Sequence, residues 1–445
     1  MKTKSKYKCS ACGHVSAGFF SKCPGCGAWN TLTEEVTGPA KKGAPKRRAR
    51  RLIDVPEVEK NRFITSSQEF NRVMGGGILE DSVTILAAKP GAGKSTLLFQ
   101  IANDLALQGK RVLYASGEES ESQIRGRAQR IAGEISPEVY IYGGNSMDDV
   151  LEGIREVDPE LIILDSIQTF TLAAFPARAG APTQTMECAN ALVEVAKDPQ
   201  RPRAVFLVGQ LTKSDSLAGV RALEHLVDTV LFIDQEAGEE LRLLTATKNR
   251  FGSTGEMGFF KMGERGMASI EDPSFYFTTK RGPGEEVPGS AKALIREGSR
   301  LVVVEVESLV ARSNTPYPQR ISECFRREKL EILISILQER AKVSLYERNV
   351  ILKTTGGISL RESAANLAAI MSIASSVRGR ALAGGAIFIG DVGLTGELKA
   401  VPYMEGRIKE ALRMGFGPVV VPQGHGDGEK VLAYNHINEL LQDLL

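Results

Sequence analysis

Between residues 61 and 270 short apolar runs recur at 83–88, 112–115, 161–164, 204–208, 230–233 and 243–246. Each is strand-length, and stretches of helical spacing such as 96–107 and 186–196 lie between several of them. Strand, helix, strand alternation implies right-handed crossovers and a mainly parallel sheet with helices on both faces. After residue 270 the pattern restarts at the turn Arg281-Gly282-Pro283-Gly284. Strands are expected at 301–306, 349–353, 386–389 and 418–421, with helices at 328–340, 367–377 and 405–414. That is a second α/β or α+β domain. Residues 31–60 show no apolar periodicity and carry Gly38-Pro39 and Ala44-Pro45, so they read as a linker. The expected organisation is therefore 1–30, 31–60, 61–270 and 271–445, an α/β protein with a small N-terminal module.

Composition narrows this only slightly. The 445 residues are 42% hydrophobic and 25% charged, ordinary for a globular protein, and the net charge of +2 excludes a polybasic chain. The N-terminus is basic but no apolar run follows, which argues against a secretory signal. No apolar stretch reaches the roughly 18 residues a membrane span needs. A cytoplasmic location with no membrane partner is expected.

The run Ala88-Lys89-Pro90-Gly91-Ala92-Gly93-Lys94-Ser95-Thr96 follows one strand and opens a helix. Glycines let a backbone turn its N–H groups around phosphate oxygens, and the helix start adds a positive dipole end. Pro90, Gly91, Ala92, Gly93, Lys94, Ser95 and Thr96 are the expected ATP/ADP cradle, with Lys94 on the β- and γ-phosphates and Ser95 on Mg²⁺. Leu161-Ile162-Ile163-Leu164-Asp165 is an aliphatic strand ending in one carboxylate, so Asp165 is either a second Mg²⁺ contact or a plain strand end. Glu118 and Glu119 follow the strand at 112–115, on the side where open parallel sheets form their ligand crevice. A glutamate there can orient or deprotonate the attacking water. Glu118 is nearer the strand end and is favoured, against the alternative of a solvated acidic loop.

Cys9-Ser10-Ala11-Cys12 and Cys23-Pro24-Gly25-Cys26 form two Cys-x-x-Cys knuckles. Four thiolates suit tetrahedral Zn²⁺, and a segment this short needs metal to fold. Cys188 and Cys324 read as ordinary thiols. Lys41, Lys42, Lys46, Arg47, Arg48, Arg50 and Arg51 fall together without an acidic residue. Such a run draws phosphate backbones by counterion release, or is simply a solvated linker. Lys248 and Arg250 stand two apart, and on an extended segment they share one face. By themselves they read as a surface strand end.

Several of these segments, with Tyr114-Ala115-Ser116-Gly117-Glu118-Glu119-Ser120, Leu164-Asp165-Ser166-Ile167-Gln168, Leu223-Glu224-His225-Leu226-Val227-Asp228-Thr229-Val230, Lys248-Asn249-Arg250-Phe251-Gly252 and Gly390-Asp391-Val392-Gly393-Leu394-Thr395-Gly396-Glu397, resemble the bacterial RadA/Sms DNA-repair family over nearly the full length. The resemblance implies a four-Cys zinc ribbon, a RecA-like ATPase core and a domain similar to the Lon protease domain. It implies a homohexameric ring on single-stranded DNA that drives ATP-dependent branch migration, acting on branched DNA beside a recombinase of the RecA type. Lys248 and Arg250 would then act at a subunit interface on the neighbour's γ-phosphate. Loops 170–184, with Arg178, and 211–221, with Lys213 and Arg221, would face DNA, as would Lys46, Arg47 and Arg48 of the linker.

Four departures from the family pattern stand out. Ala88 replaces the first glycine of the phosphate loop, and Lys89 replaces an acidic residue. Gln210 stands where many members have His and resembles the nucleotide-sensing Gln of RecA itself. Asn366 replaces an Asp. The position matching the Lon-type nucleophile is Ala364, and the matching lysine region reads Gly406-Arg407-Ile408-Lys409, so no peptidase activity is expected. The competing reading is a RecA-like signalling or scaffold ATPase without DNA.

Overall fold

The computed structural model describes residues 5–16, 20–29, 32–36, 51–54, 61–210, 223–235, 240–282, 284–426 and 428–445. The chain divides into two compact units, Met1–Glu59 and Lys60–Leu445. In the first, the strands Val15–Ser16, Ser5–Cys9 and Leu32–Val36 form an antiparallel sheet, with Cys9 paired to Leu32. The ribbon thus continues past residue 30, into what the sequence reads as linker. Leu32-Thr33-Glu34-Glu35-Val36 has no apolar alternation to betray it. Backbone pairing with Ser5–Cys9 defines this strand.

In the second unit a nine-stranded sheet carries the phosphate-loop strand at its centre. The order is Gly266–Ser269, Met257–Gly263, Leu241–Asn249, Thr229–Gln235, Val83–Ala88, Ala204–Gln210, Leu161–Asp165, Val112–Ser116 and Val139–Gly143. The six strands from Thr229–Gln235 to Val139–Gly143 are parallel, and the other three are antiparallel. Every residue of Val83–Ala88, Val112–Ser116 and Leu161–Asp165 is buried, as central parallel strands covered on both faces require. Successive side chains feed opposite cores. Leu86 and Ala88 join Leu98, Ala102 and Phe206, while Val83 and Ile85 join Leu113, Ile162 and Leu192.

A seven-stranded sheet follows, ordered Arg320–Ser322, Arg348–Thr354, Arg300–Arg312, Ser290–Glu297, Ile387–Phe388, Val419–Pro422 and Val431–Tyr434. The helix Asn366–Arg378 packs across it, buried from Asn366 through Ser375. The two sheets share one core. Leu241, Leu243 and Phe259 of the first pack in a single cluster with Phe277, Val304 and Leu367. Buried Glu69 adds a polar link, accepting from Phe259 N (3.0 Å) and from Arg300 (3.0 Å). Among the described residues, no helix is long and apolar enough to cross a membrane.

Candidate active site

The phosphate loop joins Val83–Ala88 to the helix Lys94–Leu107. Gly91 and Gly93 have φ of +80° and +100°, and a Cβ at Gly93 would lie 2.4 Å from Met262 Cε. Glycine is thus favoured at 93 chiefly by its positive φ, since the Met262 methyl at the end of a flexible side chain can give way. Ala88 is buried at the strand end with ordinary strand geometry, so the missing glycine costs nothing there. Lys89 is exposed. Lys94 is 9% exposed, and its Nζ donates to Ala88 O at 3.2 Å. Burial pulls its ammonium below the ordinary lysine range, opposed by the charges of Asp165 and Glu118.

Asp165 and Ser116 are register partners on adjacent parallel strands. Gly117 N donates to Asp165 O at 2.9 Å, and a Cβ on Gly117 would fall 2.1 Å from Thr169 Oγ1. This close approach carries the 117–119 loop over the end of the Asp165 strand. There the two glutamates part. Glu119 is taken by Arg127, whereas Glu118 accepts from Ser166 Oγ. Glu118 is the one whose charge Lys94 feels.

Two further residues in this region have no role assigned from the sequence, each a polar group inside an apolar strand, though Tyr114 opens one of the segments that carry the resemblance. Tyr114 is buried and donates to Asp165 Oδ2 at 2.6 Å. Arg242, 6% exposed, donates through Nε to Ala92 O at 3.2 Å and so braces the phosphate loop. Gln210 pairs with Ala88 in the sheet register, which puts it at the phosphate-loop end; its side chain lies outside the described residues.

Lys248 and Arg250 sit elsewhere. Thr229–Gln235 runs parallel to Val83–Ala88, with Thr229 beside Thr84 and Ile233 beside Ala88. Lys248 pairs with Val230, and Arg250 N bonds Asp228 O at 3.1 Å. Both are thus at the end of the sheet opposite the phosphate loop, which starts five residues, about 16 Å of strand, beyond Val83. Lys248 Nζ donates to the carbonyls of Glu224 and Val227, the latter at 2.8 Å. Burial, and then the Arg250 charge, pull its ammonium down. The Lys-Asn-Arg-Phe-Gly turn itself packs on Gly75, and Arg62 Nη2 donates to Phe251 O at 3.0 Å.

The ligand atoms of Cys9, Cys12, Cys23 and Cys26 all lie within 4.8 Å of one another, a spacing that fits one tetrahedral metal ion. Cys9 and Cys23 are buried, Cys12 and Cys26 exposed. Arg178 is exposed in a loop that buried Gln184 holds from below through four bonds to the backbone of Leu172, Phe175 and Ala177. Lys46, Arg47, Arg48, Lys213 and Arg221 lie outside the described residues.

In the C-terminal sheet region Ala364 is buried. Arg407, 1% exposed, pairs with Glu362 and donates to Pro402 O (3.0 Å) and Leu294 O (2.9 Å). Asn366 donates to Asp391 Oδ1 at 2.5 Å, so an amide here meets a carboxylate where an Asp would have put two carboxylates together.

Residues 48–216 match the family described as AAA domain, and residues 7–34 the family described as rubredoxin metal binding domain. The chain is 39% identical over 439 residues to the DNA repair protein RadA of Bacillus subtilis, covering 96% of this chain and 94% of that one. It is 36% identical over 449 residues to the DNA repair protein RadA of Aquifex aeolicus, covering 100% and 99%. Among solved structures a KaiC-like protein from the archaeon Pyrococcus horikoshii aligns with 48% of this chain and 100% of its own, at 18% identity and a TM-score of 0.39.

Proposed function

Since the chain belongs to the family of bacterial DNA repair proteins named RadA, we propose that its RecA-like ATPase core is a DNA-dependent motor, a homohexamer that holds single-stranded DNA and drives branch migration in the cytoplasm. The observation that carries this reading is the placement of Lys248 and Arg250 at the end of the sheet away from their own phosphate loop. Cationic groups in that position can complete a nucleotide site only in a neighbouring copy.

Within one copy the roles divide as follows. Lys94 balances phosphate charge, and Pro90 to Thr96 wrap the phosphates with backbone N–H groups. Ser95 and Asp165 would hold Mg²⁺, which when bound neutralises phosphate oxygens. Glu118 orients the attacking water, and Ser166 fixes its carboxylate. Gln210, at the same strand end, senses the nucleotide. Cys9, Cys12, Cys23 and Cys26 would hold Zn²⁺ as a structural ion, because four thiolates leave no open position. Arg178, with Lys46, Arg47, Arg48, Lys213 and Arg221, contacts phosphate backbones. Branched intermediates and a RecA-type recombinase are the expected partners. The C-terminal domain is Lon-like and not a peptidase.

A three-strand branch-migration assay with the wild type and Lys94→Ala tests this. ATP-dependent migration by the wild type and its loss in the variant are expected. ATP hydrolysis without stimulation by single-stranded DNA, together with no migration, would favour a signalling or scaffold ATPase instead.

A further inference from the structure

Tyr114 has no part in the phosphate-loop reading, yet its phenol bonds Asp165, a group assigned to the cation. It lies on Val112–Ser116, beside the Asp165 strand, and is 0% exposed. Its hydroxyl donates to Asp165 Oδ2 at 2.6 Å. Arg127, on the helix Glu121–Ile131, donates through Nη2 to the phenol oxygen at 3.3 Å and grips Glu119 with Nη1. Ring packing does not require this hydroxyl. Tyr114 meets Phe99 edge-on at 6.3 Å, a contact phenylalanine makes equally well. A buried hydroxyl is costly unless bonded, and here its bonds run to one assigned cation ligand, Asp165, and to one guanidinium.

Resting on the assignment of Ser95 and Asp165 to Mg²⁺, we propose that Tyr114 is a positioning residue for the cation, with Arg127 as its clamp. One oxygen of Asp165 is committed to Tyr114, which fixes the carboxylate plane and leaves the other oxygen for the cation side. Carboxylates that serve metals are commonly oriented by such neighbours. Arg127 also joins this arrangement to Glu119, next to the glutamate assigned to water. The position of the loop at 117–119 and the orientation of Asp165 are thereby set by the same three side chains.

The experiment uses the full chain and a fluorescent ADP analogue, titrated with Mg²⁺. For Tyr114→Phe, the nucleotide affinity without Mg²⁺ stays close to wild type, while the Mg²⁺ concentration at half-effect rises about tenfold. Arg127→Gln shifts it in the same direction, by less. An unchanged Mg²⁺ midpoint in Y114F overturns the proposal. So does an equal loss of affinity with and without Mg²⁺, which would mark Tyr114 as a packing residue. Should Y114F not fold, the Mg²⁺ midpoint of R127Q decides by the same criterion. A wild type whose nucleotide binding ignores Mg²⁺ altogether would refute the underlying cation assignment, an outcome separable from the others because it needs no variant.

Discussion

The Arg250 guanidinium stands 3.3 Å from Asp228, and the same carboxylate accepts from Lys197 (2.7 Å) and from the buried N–H of Val83 (3.0 Å). Asp228 is 3% exposed while the Arg250 side chain is 55% exposed. The pair is therefore unequal: Asp228 holds the sheet, and Arg250 only leans on it.

That inequality predicts opposite phenotypes. Asp228→Ala leaves the buried Val83 N–H unpaired and takes the carboxylate from Lys197, and is expected to cost about 2 kcal/mol in urea denaturation. Arg250→Ala should cost less than about 1 kcal/mol, as exposed pairs do. In the assembled protein, however, Arg250→Ala should abolish most ATP hydrolysis without weakening nucleotide binding by the monomer. Normal hydrolysis by the assembled Arg250 variant would remove the interface role.

Gln184 predicts the behaviour of a loop. Its amide accepts from Leu172 N (3.0 Å) and donates to the carbonyls of Leu172 (3.2 Å), Phe175 (2.7 Å) and Ala177 (3.1 Å). Gln184→Leu leaves these buried backbone groups unpaired, at a cost of about 2 kcal/mol. Because the loop carries Arg178, single-stranded DNA binding measured by anisotropy should fall as far in Gln184→Leu as in Arg178→Ala, with nucleotide affinity unchanged. DNA affinity that survives both changes would show that this loop faces something else.

Restoring a serine should not restore a peptidase. Guanidinium groups carry donors and no acceptor, so Arg407 is no base for a hydroxyl at 364. Ala364→Ser is expected to leave casein and short peptides intact at any pH tested. Arg407→Met, by contrast, removes the buried partner of Glu362 and the donors to Pro402 O and Leu294 O, and should destabilise the chain by about 2 kcal/mol. Peptide cleavage by the Ala364 variant would contradict the assignment of Arg407 as a purely structural cation.

Asp158 sets an acid limit. It ends the helix Met147–Val157 and meets Arg111 (3.0 Å), Arg201 (2.8 Å) and Arg203 (2.8 Å). The Arg201 hydrogen bond, helped by Arg203 and opposed by burial, lowers its carboxyl from 3.8 to about 2. A depressed carboxylate stabilises the fold above its unfolded pKa and loses that contribution as pH falls through the folded one. The difference in melting temperature between wild type and Asp158→Asn should therefore be constant above pH 4 and shrink between pH 4 and 2. The site is 40% exposed, so solvent screening keeps the effect modest. A difference that does not change across that interval would mean that Asp158 is not charge-coupled to the three arginines.

Local backbone chemistry was legible in the sequence: the phosphate loop between strand and helix, the aliphatic strands around it, the two cysteine knuckles, and the motifs that carry the family resemblance. Each depends on residues a few positions apart, where periodicity and turn preference act directly. Choices made between distant segments were not legible. Glu118 and Glu119 are neighbours in sequence, and only the pairing of Val112–Ser116 with Leu161–Asp165 gives Ser166 to one while Arg127 takes the other. The same register brings Tyr114 to Asp165, and the antiparallel return of Leu241–Asn249 puts Arg242 beneath the phosphate loop and Arg250 at the far end. Strand register is fixed by the burial of whole faces, so the partner of any single polar side chain is decided only when the sheet closes.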